Sequence, residues 1–205
     1  MRNLTLYAEK SNEAEGFKDL KTYLSLINEN NKYCLEIINN LMSEEHIESP
    51  NIVVKNSRVD VVAVVNFIFE ELTQSYKHRN FVLKNSAPSI FINTDEVKLL
   101  QIINNFTSNA IKFTRHQDEI KIEIREMENN VIIVVDDKGI GIPEALKPFV
   151  FNRHGVAGRT GLNGEKSKGI GMSICKNLAM LMKGDIWFES VEGEGSAFYL
   201  ALPKD

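Results

Sequence analysis

Three polar side chains inside one apolar stretch carry the first candidate chemistry. In Asp95–Thr114, DEVKLLQIINNFTSNAIKFT, residues Asn105, Asn109 and Lys112 stand four and three apart, so on a helix they share a face. Asparagine is a poor helix-interior residue. An amide oxygen can ligate a hard cation, and an ammonium beside it can meet a phosphate. The same three residues also fit an ordinary solvated face. A second stretch, Val135–Pro143, reads VDDKGIGIP. Asp137 ends an apolar run and can accept a hydrogen bond from an exocyclic amine such as adenine's. Gly139 and Gly141 let backbone approach a flat ligand. Alone, this is also a plain strand-ending turn. A third stretch, Ser167–Met172, reads SKGIGM where a loop becomes a helix. Backbone N–H groups at a helix N-terminus bind phosphate, and Lys168 and its basic neighbours can screen phosphate charge. A flexible loop with a glycine cap has the same composition.

Two common phosphate motifs are excluded. A P-loop requires Gly and Lys in succession, and Glu165 separates Gly164 from Lys166. A dinucleotide fingerprint requires a third glycine, where Glu144 and Ile174 stand.

The elements that position these residues follow from periodicity. Leu99, Leu100, Ile102, Ile103, Phe106, Ala110 and Phe113 give the Asn stretch an apolar helical face, and Asp95 is placed to cap it. Ile52–Lys55, Phe81–Lys84 and Ile90–Ile92 read as short strands, and Val59–Tyr76 as a helix. Glu119–Glu126 alternates Ile120, Ile122 and Ile124 with charges, and Val131–Val135 is continuously apolar. These two predict a hairpin turned at Asn129-Asn130. Residues 152–168 predict a mobile, glycine-rich basic loop. Ile170–Met182 reads as a helix closed by Lys183-Gly184, and Ile186–Ser190 with Ala197–Leu202 as a final hairpin.

Upstream, residues 1–15 predict a short helix. Phe17, Leu20, Leu24, Ile27, Asn31, Cys34, Ile38 and Leu41 form a heptad-type seam, which suits a helical hairpin, a coiled coil or an ordinary amphipathic helix. Ser49-Pro50-Asn51 ends it. The expected division is therefore a partial helical hairpin over 1–49 and a second domain over 50–205. The expected fold class is α+β: a two-layer sandwich with a mixed, mostly antiparallel sheet and helices on one face, preceded by the hairpin.

The 205 residues are 43% hydrophobic and 25% charged, with net charge −4, as in ordinary globular proteins. No basic face suggests nucleic acid as a partner. Cys34 and Cys175 stand alone, which predicts neither disulfide nor zinc site. The longest apolar run, Val61–Phe69, is broken by Asn66, so no segment is expected to span a membrane. The expected location is cytoplasmic, alone or as the cytoplasmic part of a membrane-bound sensor.

Taken together, NNFTSNAIKFT, VDDKGIGIP, VFNRHG, GEKSKGIGMSI and GEGSAFYLALP, in this order, resemble the catalytic ATP-binding domain of bacterial sensor histidine kinases. That domain belongs to the superfamily shared with DNA gyrase B, MutL and a heat-shock chaperone. The resemblance spans about residues 52–205, and the 17–47 helix is similar to the second helix of the kinases' dimerisation hairpin. It implies ATP and Mg²⁺ as cofactors. Asn109 matches the residue that holds the metal, and Asn105 a second metal or phosphate-side residue. Lys112 matches the phosphate-contacting lysine. Asp137 matches the adenine-binding aspartate, with Gly139, Gly141 and Ile142 shaping the pocket. Phe151 matches the aromatic before the basic loop. Lys168, Gly169 and Gly171 match the phosphate turn, and Met172 an apolar wall. The implied partners are a response-regulator receiver domain and a second copy bound through residues 17–46.

There are three departures. The phosphate turn reads Ser167-Lys168-Gly169 rather than Gly-Thr-Gly, and Phe149-Val150-Phe151 leaves the aromatic position open. None of His46, His78, His116 and His154 has the context of a phospho-acceptor, while Met1–Thr5 resembles the tail of such a box. The expectation is a fragment cut just after the acceptor, or a chain that lacks it. Competing readings are a non-catalytic regulatory module and a gyrase-type ATPase. Asparagine at position 105 argues against the ATPase, since an amide cannot take a proton from water.

Overall fold

The computed structural model of the chain describes residues 53–152, 158–162, 164 and 169–204. The expected helical hairpin over 1–49, its seam and Lys168 lie outside the described residues.

Strand β1 (Ser57–Asp60) pairs antiparallel with β3 (Phe91–Thr94) in a two-stranded sheet. Helix α1 (Val61–Ser75) follows at once. The sequence predicts its start at Val59, but Asp60 ends the strand instead. Its Oδ1 accepts from the N–H groups of Val62 and Ile90, both at 3.1 Å, so one carboxylate caps the helix and fastens it to β3. The strand expected at Ile52–Lys55 does not form over the described Val53–Lys55. Their backbone is satisfied elsewhere: Lys55 N–H donates to Asp95 Oδ2 at 2.9 Å, and Lys98 Nζ to the Val53 carbonyl at 3.2 Å.

The main sheet has five strands in the order β2-β4-β5-β7-β6. They are β2 (Asn80–Asn85), β4 (Glu119–Glu126), β5 (Asn130–Asp137), β6 (Asp185–Val191) and β7 (Gly195–Pro203). Only β2 and β4 run parallel; the other three pairings are antiparallel. The two expected hairpins, β4–β5 and β6–β7, are present. Strand β5 buries Val131, Ile133, Val134 and Val135 in near succession, whereas β4 buries only every second residue, Ile120, Ile122 and Ile124, which matches the continuous apolar run of the one and the alternation of the other.

The Asn helix is α2 (Glu96–Phe113), capped by Asp95 through the Lys98 N–H at 3.1 Å. Leu99, Ile102, Ile103 and Phe106 are fully buried. The Phe106 ring meets Phe198 of β7 at 5.5 Å between centroids. Helix α3 (Gly171–Leu181) buries Ile174, Cys175, Leu178 and Ala179. It ends as expected, with Lys183 at φ 59° and the Gly184 N–H returning to the Ala179 carbonyl at 2.8 Å. This is the two-layer α+β sandwich the sequence predicts.

A helix leaves its last carbonyls without intrahelical partners. At the end of α2 the carbonyls of Ile111, Lys112, Phe113 and the capping Thr114 each find one. The Arg79 guanidinium donates to the Ile111 and Thr114 carbonyls at 2.8 and 2.9 Å. The Leu162 N–H donates to the Lys112 carbonyl at 2.9 Å, and the Ile140 N–H to that of Phe113 at 3.0 Å. Three separate segments thereby converge on the last turn of α2. Charged-donor bonds of this kind are each worth about 1.5–3 kcal/mol. Arg79→Ala is expected to lower unfolding free energy by roughly 2–4 kcal/mol, read as a lower urea midpoint with unchanged slope. Arg79→Lys should restore only part, because an ammonium cannot fork to two carbonyls in the same plane.

Candidate functional site

The site is a cleft between the end of α2, the β5–glycine turn, the start of α3 and β7. Its lining includes Asn109, Phe113, Asp137, Ile142, Gly169, Gly171 and Met172. Residues from three distant boxes therefore meet around one opening.

Asp137 is the chemical centre. It ends β5 and is 5% exposed. Its Oδ1 accepts from the Gly139 N–H at 2.9 Å and the Thr114 hydroxyl at 3.4 Å. Burial raises its pKa to about 6, against the Gly139, Thr114 and Ser196 hydrogen bonds, which favour the ionised form; the nearby Asp136 adds to the rise. A carboxyl whose folded pKa exceeds its unfolded value holds its proton better in the folded state. Its contribution to stability therefore declines as pH rises from 3.8 to about 6 and stays a penalty above. That penalty is on the order of 3 kcal/mol at neutral pH. A buried carboxylate retained at such a cost is a mark of function.

The turn after Asp137 has no room for side chains. A Cβ on Gly139 would lie 2.3 Å from the Phe113 carbonyl oxygen. Gly141 sits at φ +64° with its would-be Cβ 2.0 Å from the Val191 carbonyl. The Ile142 N–H donates to Ser190 Oγ at 2.8 Å, which fixes the turn to β6 and turns Ile142 into the cleft.

The α2 residues divide. Asn109 lines the cleft. Asn105 lies one turn earlier, at the contact with α3. Its Nδ2 donates to the Gln101 carbonyl at 2.9 Å, and its Oδ1 would be 2.7 Å from a Cβ on Gly171. A side chain at position 171 would therefore displace the Asn105 amide as well as narrow the opening. Lys112 is half-buried in the same turn as Asn109.

Phe151 is placed outside the lining. Its ring packs on Phe188 at 5.6 Å, with Lys176 Nζ 5.3 Å from its centroid. Val150, 6% exposed, takes the cleft position instead. The sequence leaves FVF ambiguous because three consecutive apolar residues carry no readable period.

Several lining residues have no counterpart among the sequence candidates: Phe113, Leu146, Val150, Arg159, Ser196 and Phe198. Phe113 was readable as the neighbour of Lys112. Ser196 and Phe198 enter because β7 pairs with β5, setting Asp137 opposite Ser196 and Val135 opposite Phe198. No local signal announces that pairing. Among the described residues no group of three or more His, Cys, Asp or Glu could hold a metal, so a cation here would rely on amide oxygen and ligand phosphates.

Comparison with known proteins agrees with this geometry. The sensor protein kinase WalK of Staphylococcus haemolyticus is 25% identical over 184 residues, 89% of this chain and 30% of that protein. WalK of Staphylococcus saprophyticus subsp. saprophyticus is 26% identical over 183 residues, 88% of this chain and 30% of that protein. This chain thus spans about 30% of the length of the curated relatives it matches. The catalytic domain of histidine kinase ThkA superposes with a TM-score of 0.62 at 26% identity, covering 73% of this chain and 98% of that one. ThkA in complex with response regulator protein TrrA shares the fold at a TM-score of 0.65 and 22% identity, over 91% of this chain and 52% of that one. The family described as histidine kinase-, DNA gyrase B-, and HSP90-like ATPase matches residues 94–205, more than half the chain, from the start of α2 through β7, and the chain belongs to that family.

Proposed function

We propose that this chain is the ATP-binding catalytic core of a sensor histidine kinase, serving transfer of the γ-phosphoryl group to a histidine nitrogen and onward to a response-regulator aspartate. The observation that carries the reading is the buried Asp137 carboxyl at the floor of an otherwise largely apolar cleft. Its geometry suits a flat base with an exocyclic amine. Ionised, Asp137 accepts the amine's hydrogen bond, and the Gly139 N–H and Thr114 hydroxyl keep the carboxylate aimed. Ile142 and Met172 supply apolar walls, and the glycine turn lets the base approach backbone.

Bound Mg-ATP would supply the phosphoryl group and the charge that neutralises it in transfer. The chain's own residues hold it: Asn109 offers an amide oxygen to the cation, and Lys112 and Lys168 offer charge to the phosphates. Gly169 and Gly171 open the N-terminus of α3, whose N–H groups face anions. Asn105 cannot act as a base toward water, which suits transfer to a protein side chain over hydrolysis. The partners proposed are a response-regulator receiver domain, since ThkA forms a complex with the response regulator protein TrrA, and a second copy through residues 17–46, with the domain boundary at Ser49-Pro50. A cytoplasmic setting is proposed with them. No helix among the described residues is long and apolar enough to cross a membrane.

Calorimetry with a non-hydrolysable ATP analogue tests the reading. Mg²⁺ should tighten binding to the wild-type chain, and Asn109→Ala should weaken that metal-dependent binding at least ~10-fold. Absence of metal-dependent binding in the wild type would refute the reading. Asp137→Asn should abolish adenosine binding yet stabilise the fold at pH 7 by roughly 1–3 kcal/mol, because the burial penalty disappears. Urea unfolding should show that gain shrinking at pH 4, where Asp137 is protonated in the folded state.

A further inference from the structure

The cleft contains a cation of its own. Arg159, in the described Gly158–Leu162 segment, is half-buried and lines the opening together with Asp137 and Phe113. Its Nη1 donates to the Gly141 carbonyl at 2.8 Å. Its guanidinium carbon stands 4.4 Å from the centroid of the Phe113 ring. The Leu162 N–H, three residues on, is fastened to the Lys112 carbonyl at 2.9 Å, so the segment is held across the end of α2. Burial disfavours the charge of Arg159, and the carboxylates of Asp137 and Glu192 favour it.

A flat base entering this cleft needs an aromatic or apolar plane, the glycine-turn backbone and the Asp137 carboxylate. Arg159 already uses the first two and lies within the field of the third. A guanidinium is planar, stacks on aromatic faces and presents N–H donors in its plane. It thus shares with an aminated base the features this cleft recognises.

We propose that Arg159 is a built-in competitor for the base-binding slot, occupying the Phe113 face and the Gly141 carbonyl until nucleotide displaces it. The inference rests on the nucleotide-binding reading above. It makes Arg159 a residue that sets affinity: apparent binding is weakened by the fraction of molecules in which the slot is filled by the side chain. It also separates Arg159 from the phosphate-screening role open to the other loop cations.

The test is calorimetric titration of the full 205-residue chain, wild type and Arg159→Ala, with adenosine and with ATP. Competition for the slot predicts about 3- to 10-fold tighter binding in Arg159→Ala, by the same factor for both ligands, since neither gain depends on phosphate. Unchanged affinity, or a loss that is larger for ATP than for adenosine, would overturn it while leaving nucleotide binding intact. If neither chain binds either ligand, the nucleotide reading fails and the proposal falls with it. Arg159→Gln, which keeps a planar donor without charge, should bind more weakly than Arg159→Ala; equal affinity of the two would contradict the base-mimic argument.

Discussion

The carbonyls at the end of α2, which have no partner within the helix, are the constraint around which the rest is arranged. The C-terminal end of a helix carries partial negative charge and up to four orphan acceptors. Here Arg79 from the start of β2, Ile140 from the glycine turn and Leu162 from the segment beyond it each take part of that demand. The helix end is thus both a structural anchor and the origin of the site: the turn that supplies these carbonyls also carries Asn109, Lys112, Phe113 and Thr114. Positioning a carboxylate and an amide within one opening follows from satisfying ordinary backbone hydrogen bonds.

The second organising fact is electrostatic. Asp137 is kept in a place where its charge is unfavourable, yet three donors hold it ready to ionise. Hydrogen-bonding sites reject ligands that lack the matching group, because the site's own polar atom would then be left unpaired. In the proposed site, a buried carboxylate would favour an amine-bearing base, at a cost in stability. Outside the cleft, Lys121 pairs with Asp136 at 3.0 Å and Arg125 with Glu123 at 2.9 Å on the same sheet. Those partly exposed pairs need no such compromise.

The site was legible in the sequence wherever the chemistry lies within one element. Asn109, Asp137, Gly139, Gly141, Ile142 and the Gly169–Met172 turn are local patterns, and all face the cleft or shape it. The α2 and α3 helices and both hairpins follow from periodicity for the same reason. What sequence does not carry is pairing between distant segments. Ser196 and Phe198 reach the site only through the β5–β7 register, and Arg159 only through the fastening of its segment to α2. Val150 rather than Phe151 lines the cleft, while the Phe151 ring packs on Phe188 beside Lys176. The Val53–Lys55 stretch reads as strand by composition, but side chains at the start of α2 claim its backbone first. Asp60 shifts the start of α1 by acting as cap and strand end together.

The central claim is that one adenine-nucleotide site is built on the end of α2. Backbone NMR of the isotopically labelled chain, titrated with a non-hydrolysable ATP analogue and Mg²⁺, tests it most directly. The account predicts that the largest shifts fall on Asn109, Gly139, Ile142, Gly171 and Met172, with the Gly139 amide, bonded to Asp137 at 2.9 Å, among the first to move. Shifts confined to the hollow lined by Arg115, Asp118, Lys138 and Gly193 on the other side of Phe113, with Ile142, Gly171 and Met172 unmoved, would contradict it.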